Sequence, residues 1–535
     1  MKRILVLIIV LLTAIVSMAY LYFTGLNADK KNNDYALYSA AVNSAFIFAF
    51  ENDKSVLDIL GGKSLLKDLI GEKKSAELQS LHTFLLGKVA LNQLTDKQNI
   101  YIGLVPAADK TIDFLYTTEL SAGADRTLLL SALKSSGISS RDTLKNIVKL
   151  GLPDSSTFFL AVRDQVVFLS GTATTIEQAL LRNPEKSGKF AEYILSSSRL
   201  SKSSLAEIYI NYQTLPELLK AAIPGKLNGE LGVFSDKDAF AILVYNYSTE
   251  KILFNGATKI NDQKSYFQLY ATFEAQKVTI SNILPENTAS YTAYTISNYP
   301  LWKKALDQWF KDRGETSKTA AVTQNISNKY RLDPEQLFPK YFKNQLLTFQ
   351  LSTGEKLAAI DLSNGEKLAQ LLIDLSVSYN DDIKVFKDAE LLYSYFGEPL
   401  RNFKRPFYVI MDNYLIMANN ASTLQSFLNS YKRDDLLINN PDYTRSINQL
   451  PNSSAITFYV DLRNAQSILL RNVYLPYYRY LTSKDGLGAY SSFICQLSGE
   501  RDKFQTNILL NKKADALPQN SLSTGPDSLS ILPSQ

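Results

Sequence analysis

The sequence predicts an α+β fold, with two tandem homologous domains of mostly antiparallel sheet and packed helices, preceded by one transmembrane helix. Three observations predict it: an uncharged apolar run near the N-terminus, an internal repeat that covers most of the chain, and hairpin patterns that alternate with amphipathic helical stretches. Hairpins with helices between them are typical of α+β folds rather than of doubly wound parallel sheets.

The N-terminal run predicts a signal anchor over residues 4–25, after a short cytoplasmic start at residues 1–3. Residues 4–23 contain no charged residue and are dominated by Ile, Leu, Val and Ala, and Lys2 and Arg3 precede them. About 20 helical residues span about 30 Å, the thickness of a bilayer core, and flanking positive charge stays inside. This predicts a single-pass protein of the inner (cytoplasmic) membrane whose bulk is extracytoplasmic or periplasmic. A cleaved signal peptide ending at Ala19 is the alternative.

The internal repeat aligns residues 159–169 with residues 407–417, and it extends to Tyr209 with Tyr459 and Glu250 with Glu500. In each copy a strand, a tight polar turn containing Asp164 or Asp412 and a second strand lead into a capped helix. The predicted domains are a first repeat at 34–275, a second repeat at 286–511 and a disordered, Ser- and Pro-rich tail at 512–535.

The two copies differ at one predicted strand. Residues 266–273 alternate like a strand in the first copy and have no counterpart in the second. The sheet of the second copy is therefore expected to end one strand short, at residues 504–510. Unpaired edges need a partner, and three are considered: water with blocking lysines, a strand lent by the first copy, or a strand from another protein.

Composition excludes several classes of function. The net charge is +5 and the basic residues are scattered, so no nucleic-acid-binding face is expected. The chain has one cysteine, Cys495, and one histidine, His82, which excludes an intrachain disulfide and zinc sites built from several His or Cys residues. We expect Cys495 to be a buried apolar residue, His82 to be structural or at the surface, and no metal or cofactor to be bound.

The motifs that resemble catalytic signatures are incomplete. Gly61-Gly62-Lys63-Ser64 lacks the glycine that a phosphate-binding loop needs at position 57, which is Leu57. Ser64 and Lys67 have S-x-x-K spacing without the companion motifs of penicillin-binding enzymes. Asn380-Asp381-Asp382 is interpreted as a polar turn. The sequence thus predicts no catalytic residues, although an envelope hydrolase using carboxylate or Ser/Lys chemistry remains open.

One aromatic segment is a candidate binding surface. Four tyrosines and an arginine occur close together, namely Tyr474, Tyr477, Tyr478, Arg479 and Tyr480. Aromatic rings with polar tips can form a platform for a sugar or a peptide. Ordinary packing of a loop and a helix is the alternative.

The pattern of strand, turn, strand and helix at residues 164–176, repeated at residues 412–424, resembles a bacterial family of unknown function. Members of that family have an N-terminal signal anchor and a duplicated exported region, and no activity is established for them. The resemblance implies an anchored, exported, non-enzymatic protein. We therefore expect a membrane-anchored binding or scaffolding protein of the cell envelope, held in the membrane by its N-terminal helix, with an envelope protein or glycan as partner.

Overall fold

The computed structural model describes residues 34–53, 56, 72–107, 112–143, 146–198, 200, 204–224, 238–248, 250–483 and 486–513. Within these ranges the fold is α+β, with a 20-stranded antiparallel sheet and a separate two-stranded sheet. The strands of the first half of the chain are β1 (Phe46–Glu51), β2 (Asn99–Pro106), β3 (Ile112–Glu119), β4 (Ser139–Asp142), β5 (Val148–Gly151), β6 (Thr157–Arg163), β7 (Val166–Ser170), β8 (Ala206–Asn211), β9 (Ala239–Tyr247) and β10 (Lys251–Ile260).

The strands of the second half are β11 (Gln276–Lys277), β12 (Thr288–Thr295), β13 (Phe342–Leu351), β14 (Lys356–Leu362), β15 (Ser376–Ser378), β16 (Lys384–Phe386), β17 (Phe407–Met411), β18 (Tyr414–Ala418), β19 (Ser453–Ser454), β20 (Ile456–Asp461), β21 (Tyr490–Glu500) and β22 (Lys503–Lys512). Strands β11 and β19 form the two-stranded sheet; all other strands belong to the large one.

The α-helices are α1 (Tyr35–Asn43), α2 (Glu72–Leu81), α3 (Val89–Asn92), α4 (Arg126–Ser135), α5 (Ala173–Leu181), α6 (Gly188–Ser197), α7 (Leu215–Lys220), α8 (Tyr299–Asp312), α9 (Thr316–Tyr330), α10 (Phe338–Tyr341), α11 (Gly365–Leu371), α12 (Leu391–Phe396), α13 (Ala421–Lys432), α14 (Pro441–Ile447), α15 (Gln466–Asn472) and α16 (Leu475–Thr482). A π-helical turn at His82–Leu86 and several short 3₁₀ turns complete the described secondary structure.

Strand pairing follows the same order in both halves. The first half runs β4, β5, β6, β7, β3, β2, β1, β8, β9 and β10. The second runs β15, β16, β17, β18, β14, β13, β12, β20, β21 and β22. Strands β10 and β22 then pair with each other, so the two repeats are halves of one sheet and not two separate sheets. The domain boundaries at 275 and 286 stay a prediction.

The junction of the halves has local two-fold symmetry. Asn255 in β10 is the register partner of Asn507 in β22, and the registers of the neighbouring strands make these two asparagines equivalent residues of the two repeats. Close by, the hydroxyls of Thr258 and Thr506 hydrogen-bond at 2.7 Å. Side-chain and backbone bonds therefore hold the two repeats together at their central strands.

Both faces of the sheet are covered. One face packs under α1, α5 and α6 in the first half and under α13 and α14 in the second. On the other face a single apolar cluster extends across both halves, from Leu129 of α4 to Trp302 of α8. Because this core crosses the junction, burial of apolar surface as well as strand pairing joins the repeats.

The prediction of a single-pass, signal-anchored membrane protein is contradicted. In the ranges given above, no helix is both long and apolar enough to cross a membrane. The helices α8 and α9 have 14 and 15 residues and carry charged side chains, and 15 residues rise only about 22 Å, less than a bilayer core. The predicted anchor at 4–25 lies outside the described residues, as does most of the predicted tail.

The predicted extra strand at residues 266–273 is also wrong. Tyr266–Tyr270 forms a 3₁₀ helix, and the Tyr266 hydroxyl donates a 2.6 Å hydrogen bond to the carbonyl of Phe396. Strand β22 nevertheless has partners on both sides, β21 and β10. Of the three outcomes considered for this edge, pairing with a strand of the first copy is the one observed, although the strand is β10.

Equivalent residues follow from the registers. Asp164 and Asp412 begin the turns of corresponding hairpins, and Tyr209 and Tyr459 lie opposite corresponding strands β1 and β12. The predicted match of Glu250 with Glu500 is wrong. Glu500 ends β21 and pairs with Lys503, whereas Glu250 lies in the longer loop before β10.

Candidate functional site

The predicted tyrosine surface lies on helix α16 and the residue before it. Tyr474 is the N-cap of this helix, which has a proline in its first turn, where the missing N–H costs no helical hydrogen bond. Tyr474, Tyr477 and Tyr478 are half-buried and Arg479 is exposed. The backbone of Tyr480 belongs to the same helix, while its side chain is not described.

This helix of the second repeat also contacts the first repeat. The N–H of Tyr474 donates a 2.9 Å hydrogen bond to the carbonyl of Ala222, just after α7 of the first half. Two leucines nearby in the chain are unusually exposed for their type: Leu470 is 53% exposed and Leu475 is 51% exposed. We call Leu470, Leu475, Tyr474, Tyr477, Tyr478 and Arg479 the junction surface.

The junction surface combines the groups that recognise other molecules well. Tyrosine rings offer apolar area and, except at Tyr477, whose hydroxyl is buried, a polar tip. A guanidinium offers several donors in a planar fork and stacks on aromatic groups. The half-buried rings are partly fixed by packing, so ordering them on binding costs little conformational entropy. This arrangement can bind a sugar or a peptide, and it contains no acid–base pair.

A buried polar cluster surrounds Glu207 in β8. This glutamate is 0% exposed; its carboxylate accepts hydrogen bonds from Ser198 at 2.6 Å, Ser204 at 3.1 Å and Tyr209 at 3.0 Å. Burial, together with the charge of Glu207, raises the pKa of Tyr209 well above its ordinary value. Several hydroxyl donors satisfy the carboxylate inside a closed core, which is typical of a structural network.

A second cluster joins α2 to the sheet. The Lys74 ammonium contacts Glu77 at 2.7 Å and Asp113 at 2.8 Å, and Ser170 donates to Asp113 at 2.8 Å. Burial raises the pKa of Asp113, but the hydrogen bond and charge of Lys74 outweigh it, and the net pKa is below the ordinary value. A carboxylate kept ionised by a bound ammonium is a poor general acid.

The N-terminus of α1 brings two carboxylates together. Asp34 accepts the N–H of Leu37 at 2.7 Å and Glu119 accepts the N–H of Ala36 at 3.0 Å. Burial raises the pKa of both carboxyls. Of the described carboxylate pairs this one most resembles an acid–base pair, but its oxygens bind the unpaired N–H groups of a helix, which is the role of capping residues.

The remaining candidates have ordinary environments. Cys495 is buried, and burial raises the pKa of its thiol to about 12, while His82 is half-buried at the start of the π-helical turn. Asn380 accepts the N–H groups of Asp382 and Ile383, so this segment is a turn. The motifs at residues 61–64 and at Lys67 lie outside the described residues.

Over the described part of the chain, no group of three or more His, Cys, Asp or Glu side chains is placed to hold a metal ion. The sequence predicts the tyrosine cluster from its local spacing, and the function of this cluster stays a prediction. The sequence missed the clusters at Glu207, Asp113 and Asp34, because their members are far apart in the chain. The chain matches no protein-family model, no curated protein and no solved structure.

Proposed function

We propose that the protein is an extracytoplasmic binding or scaffolding protein of the cell envelope, which contacts an envelope protein or glycan through the junction surface. The observation that carries this proposal is the exposure of Leu470, Leu475 and Arg479 near half-buried tyrosines, at a helix of the second repeat whose N-cap residue bonds to the first repeat. Exposed apolar and aromatic groups next to an arginine are enriched at binding surfaces.

An enzymatic role has less support. The described acidic clusters at Asp113 and Asp34 bind an ammonium or helix N–H groups, and the carboxylate of Glu207 is enclosed by hydroxyls. An envelope hydrolase would need an acid and a base open to the same substrate. We therefore propose a protein that binds without catalysing a reaction.

The proposed location is supported by the basic start and apolar run of the N-terminal sequence, which are typical of export signals. A reporter that is active only outside the cytoplasm, fused to the C-terminus, should be active. A cytoplasm-only reporter that is active at the same position would contradict the proposed location.

The binding role is tested by photo-crosslinking in cells. A photoreactive residue at Arg479 should give discrete adducts, and the same residue at the exposed position of Glu185, in the first repeat, should not. The variant Tyr478→Ala should reduce the yield from position 479, because a contacting ring is lost. Mass spectrometry and glycosidase treatment then distinguish protein from glycan partners. Equal labelling from positions 479 and 185 would contradict the proposal.

A further inference from the structure

The two outer ends of the large sheet have open strand edges. In the described part of the chain, β4 pairs with β5 alone and β15 pairs with β16 alone. At β15, the N–H of Tyr379 bonds to the carbonyl of Ile383 and the N–H of Lys387 bonds to the carbonyl of Leu375. Because backbone direction alternates along a strand, the carbonyls of Ser376 and Ser378 and the N–H of Ser378 point away from the sheet.

The β15 edge carries apolar side chains in solvent. Val377 is 52% exposed and Tyr379 is 62% exposed. Val377 is the register partner of Val385, which is the register partner of Phe407, and the Tyr379 ring packs edge-on against Phe407 with centroids 5.3 Å apart. A row of apolar residues therefore crosses the outer strands and continues to the open edge.

The first repeat has charged residues at the equivalent positions. Phe159 corresponds to Phe407, its register partner is Lys149, and the partner of Lys149 is Arg141. Both Arg141 and Lys149 are exposed. Charged side chains on edge strands are a known protection against strand addition. The β4 end of the sheet is thus protected by charged side chains, whereas the β15 end has valines at the equivalent positions.

Acidic residues flank the apolar edge. Asp374 precedes β15, and Asp381 and Asp382 follow it, all three exposed; Asp382 also contacts Lys432 at 3.6 Å. A strand with basic residues on both sides of an apolar centre complements this charge. A second copy of the chain does not, because antiparallel pairing of two β15 edges brings the acidic start of one strand, at Asp374, towards the acidic turn of the other, at Asp381 and Asp382.

We propose that β15 is a binding site for an extended segment of a partner protein, with apolar side chains at alternating positions and Lys or Arg at both ends. The segment adds a strand to the sheet: its backbone pairs with the exposed Ser378, and its apolar side chains cover Val377 and Tyr379. This site rests on the proposed binding role and adds a class of partner to it. Because it shares no residue with the junction surface, an experiment can disprove either binding site without disproving the other.

The experiment measures binding of a fluorescein-labelled peptide, Lys-Arg-Thr-Val-Thr-Val-Thr-Lys-Arg, to the full chain by fluorescence anisotropy. Saturable binding is expected. Val377→Arg combined with Val385→Lys, which copies the first repeat, should weaken it at least tenfold. The matched control, Arg141→Lys combined with Lys149→Arg, keeps the charge of the first repeat and should leave the affinity for the peptide unchanged. Asp374→Asn with Asp381→Asn should weaken binding several-fold and reduce its salt dependence.

Several results would overturn the proposal: no saturable binding, equal binding of a peptide with Glu in place of every Lys and Arg, or unchanged affinity of the Val377→Arg, Val385→Lys variant with native circular dichroism. Dimerisation in sedimentation that this variant abolishes would assign the edge to a second copy instead. Tyr478→Ala with Arg479→Ala should not change peptide affinity, which separates failure of this site from failure of the junction surface.

Discussion

Asp113 shows how a single side chain is kept ionised inside this fold. Its carboxylate is almost buried, with 5% of the side chain exposed, and it contacts Lys74, Ser170 and Thr175. The folded state therefore holds the pKa of Asp113 below its ordinary value, despite burial. A carboxylate whose folded pKa is lowered contributes stability above the unfolded pKa of about 3.9, and that contribution is lost as pH falls through the folded pKa.

We expect Asp113→Asn to lower the free energy of unfolding at pH 7 by about 2 kcal/mol, because Lys74 loses a charged partner in a partly buried site. Urea unfolding of both proteins between pH 7 and pH 3 measures the effect. The difference between them should stay constant down to about pH 4 and shrink below it, because the unfolded carboxyl is protonated near its ordinary pKa of about 3.9 while the folded carboxylate stays ionised. A difference that stays constant over this range would contradict the assignment of the lowered pKa.

For single residues, the sequence shows which residue types are present but not which residues become neighbours in the folded protein. The tyrosines around Tyr474 are close in the chain, so the sequence alone predicts a cluster there, and its role in binding stays a prediction. Lys74, Asp113 and Ser170 are distant in the chain and meet only after β3 and β7 pair. The contrast between Val377 and Arg141 is also invisible in the sequence. It becomes informative only when the structure shows that both residues lie on edge strands of the sheet.

Among the elements, the corresponding hairpins of the two repeats use the same turn. Asp164, Gln165, Asp412 and Asn413 all have positive φ, as a two-residue type I′ turn requires. The carbonyls of Gln165 and Asn413 accept the N–H groups of Leu120 and Leu362 respectively. The side chain of Asn413 has a further role, because it accepts the N–H of Gly365 at 2.8 Å.

This difference predicts opposite effects of glycine at the second turn position. Gln165→Gly should raise the free energy of unfolding by about 1 kcal/mol, since glycine adopts positive φ without steric cost. Asn413→Gly should give no gain or a loss, because asparagine tolerates this conformation and its bond to Gly365 disappears. Thermal unfolding of the two variants beside the native protein makes the comparison. Equal shifts in Tm would show that the hydrogen bond to Gly365 is unimportant.

The predictions of individual helices and strands were wrong where one apolar pattern fits both a helix and a strand. The apolar stretch at residues 36–50 predicts one long strand, but Tyr35–Asn43 is a helix capped by Asp34, followed by β1. Both elements are largely buried, so neither shows clear periodicity. In the 3₁₀ helix, Tyr266, Leu269 and Tyr270 are the buried residues. This spacing is helical. Over so short a segment it cannot be distinguished from the alternating pattern of a strand.

For the whole molecule, the decisive feature is the pairing of β10 with β22, which fuses the repeats. The sequence indicated the repeats and left a strand of the first copy as one of three possible partners for residues 504–510. It did not identify β10 as that strand, because strands from different repeats leave no local pattern when they pair. Cys495 in β21 reports on the fused region: it is buried and is the register partner of Phe458 and Ile508.

We expect the two halves to unfold together, so that a core change in the first half exposes Cys495 in the second. Leu243→Ala, at a fully buried position in β9, should cost about 2–5 kcal/mol and greatly speed the reaction of Cys495 with a thiol reagent. Leu128→Ala, at a leucine that is 50% exposed, is the matched control and should change the rate little. An unchanged rate in Leu243→Ala would show that the halves open independently.

The position of β22 at the end of the second repeat also sets the order of events while the ribosome makes the chain. Strand β10 is complete after residue 260, but its partner does not appear until residues 503–512 are synthesised. At about 5–20 residues per second this interval lasts roughly ten to fifty seconds. During this interval, the nascent first repeat has Ile252 and Phe254 on a strand that can pair with β9 but not yet with β22. Two molecules made close together can therefore exchange their β22 strands. Slow translation or a holding chaperone should therefore affect the yield of monomer more than the stability of the finished protein.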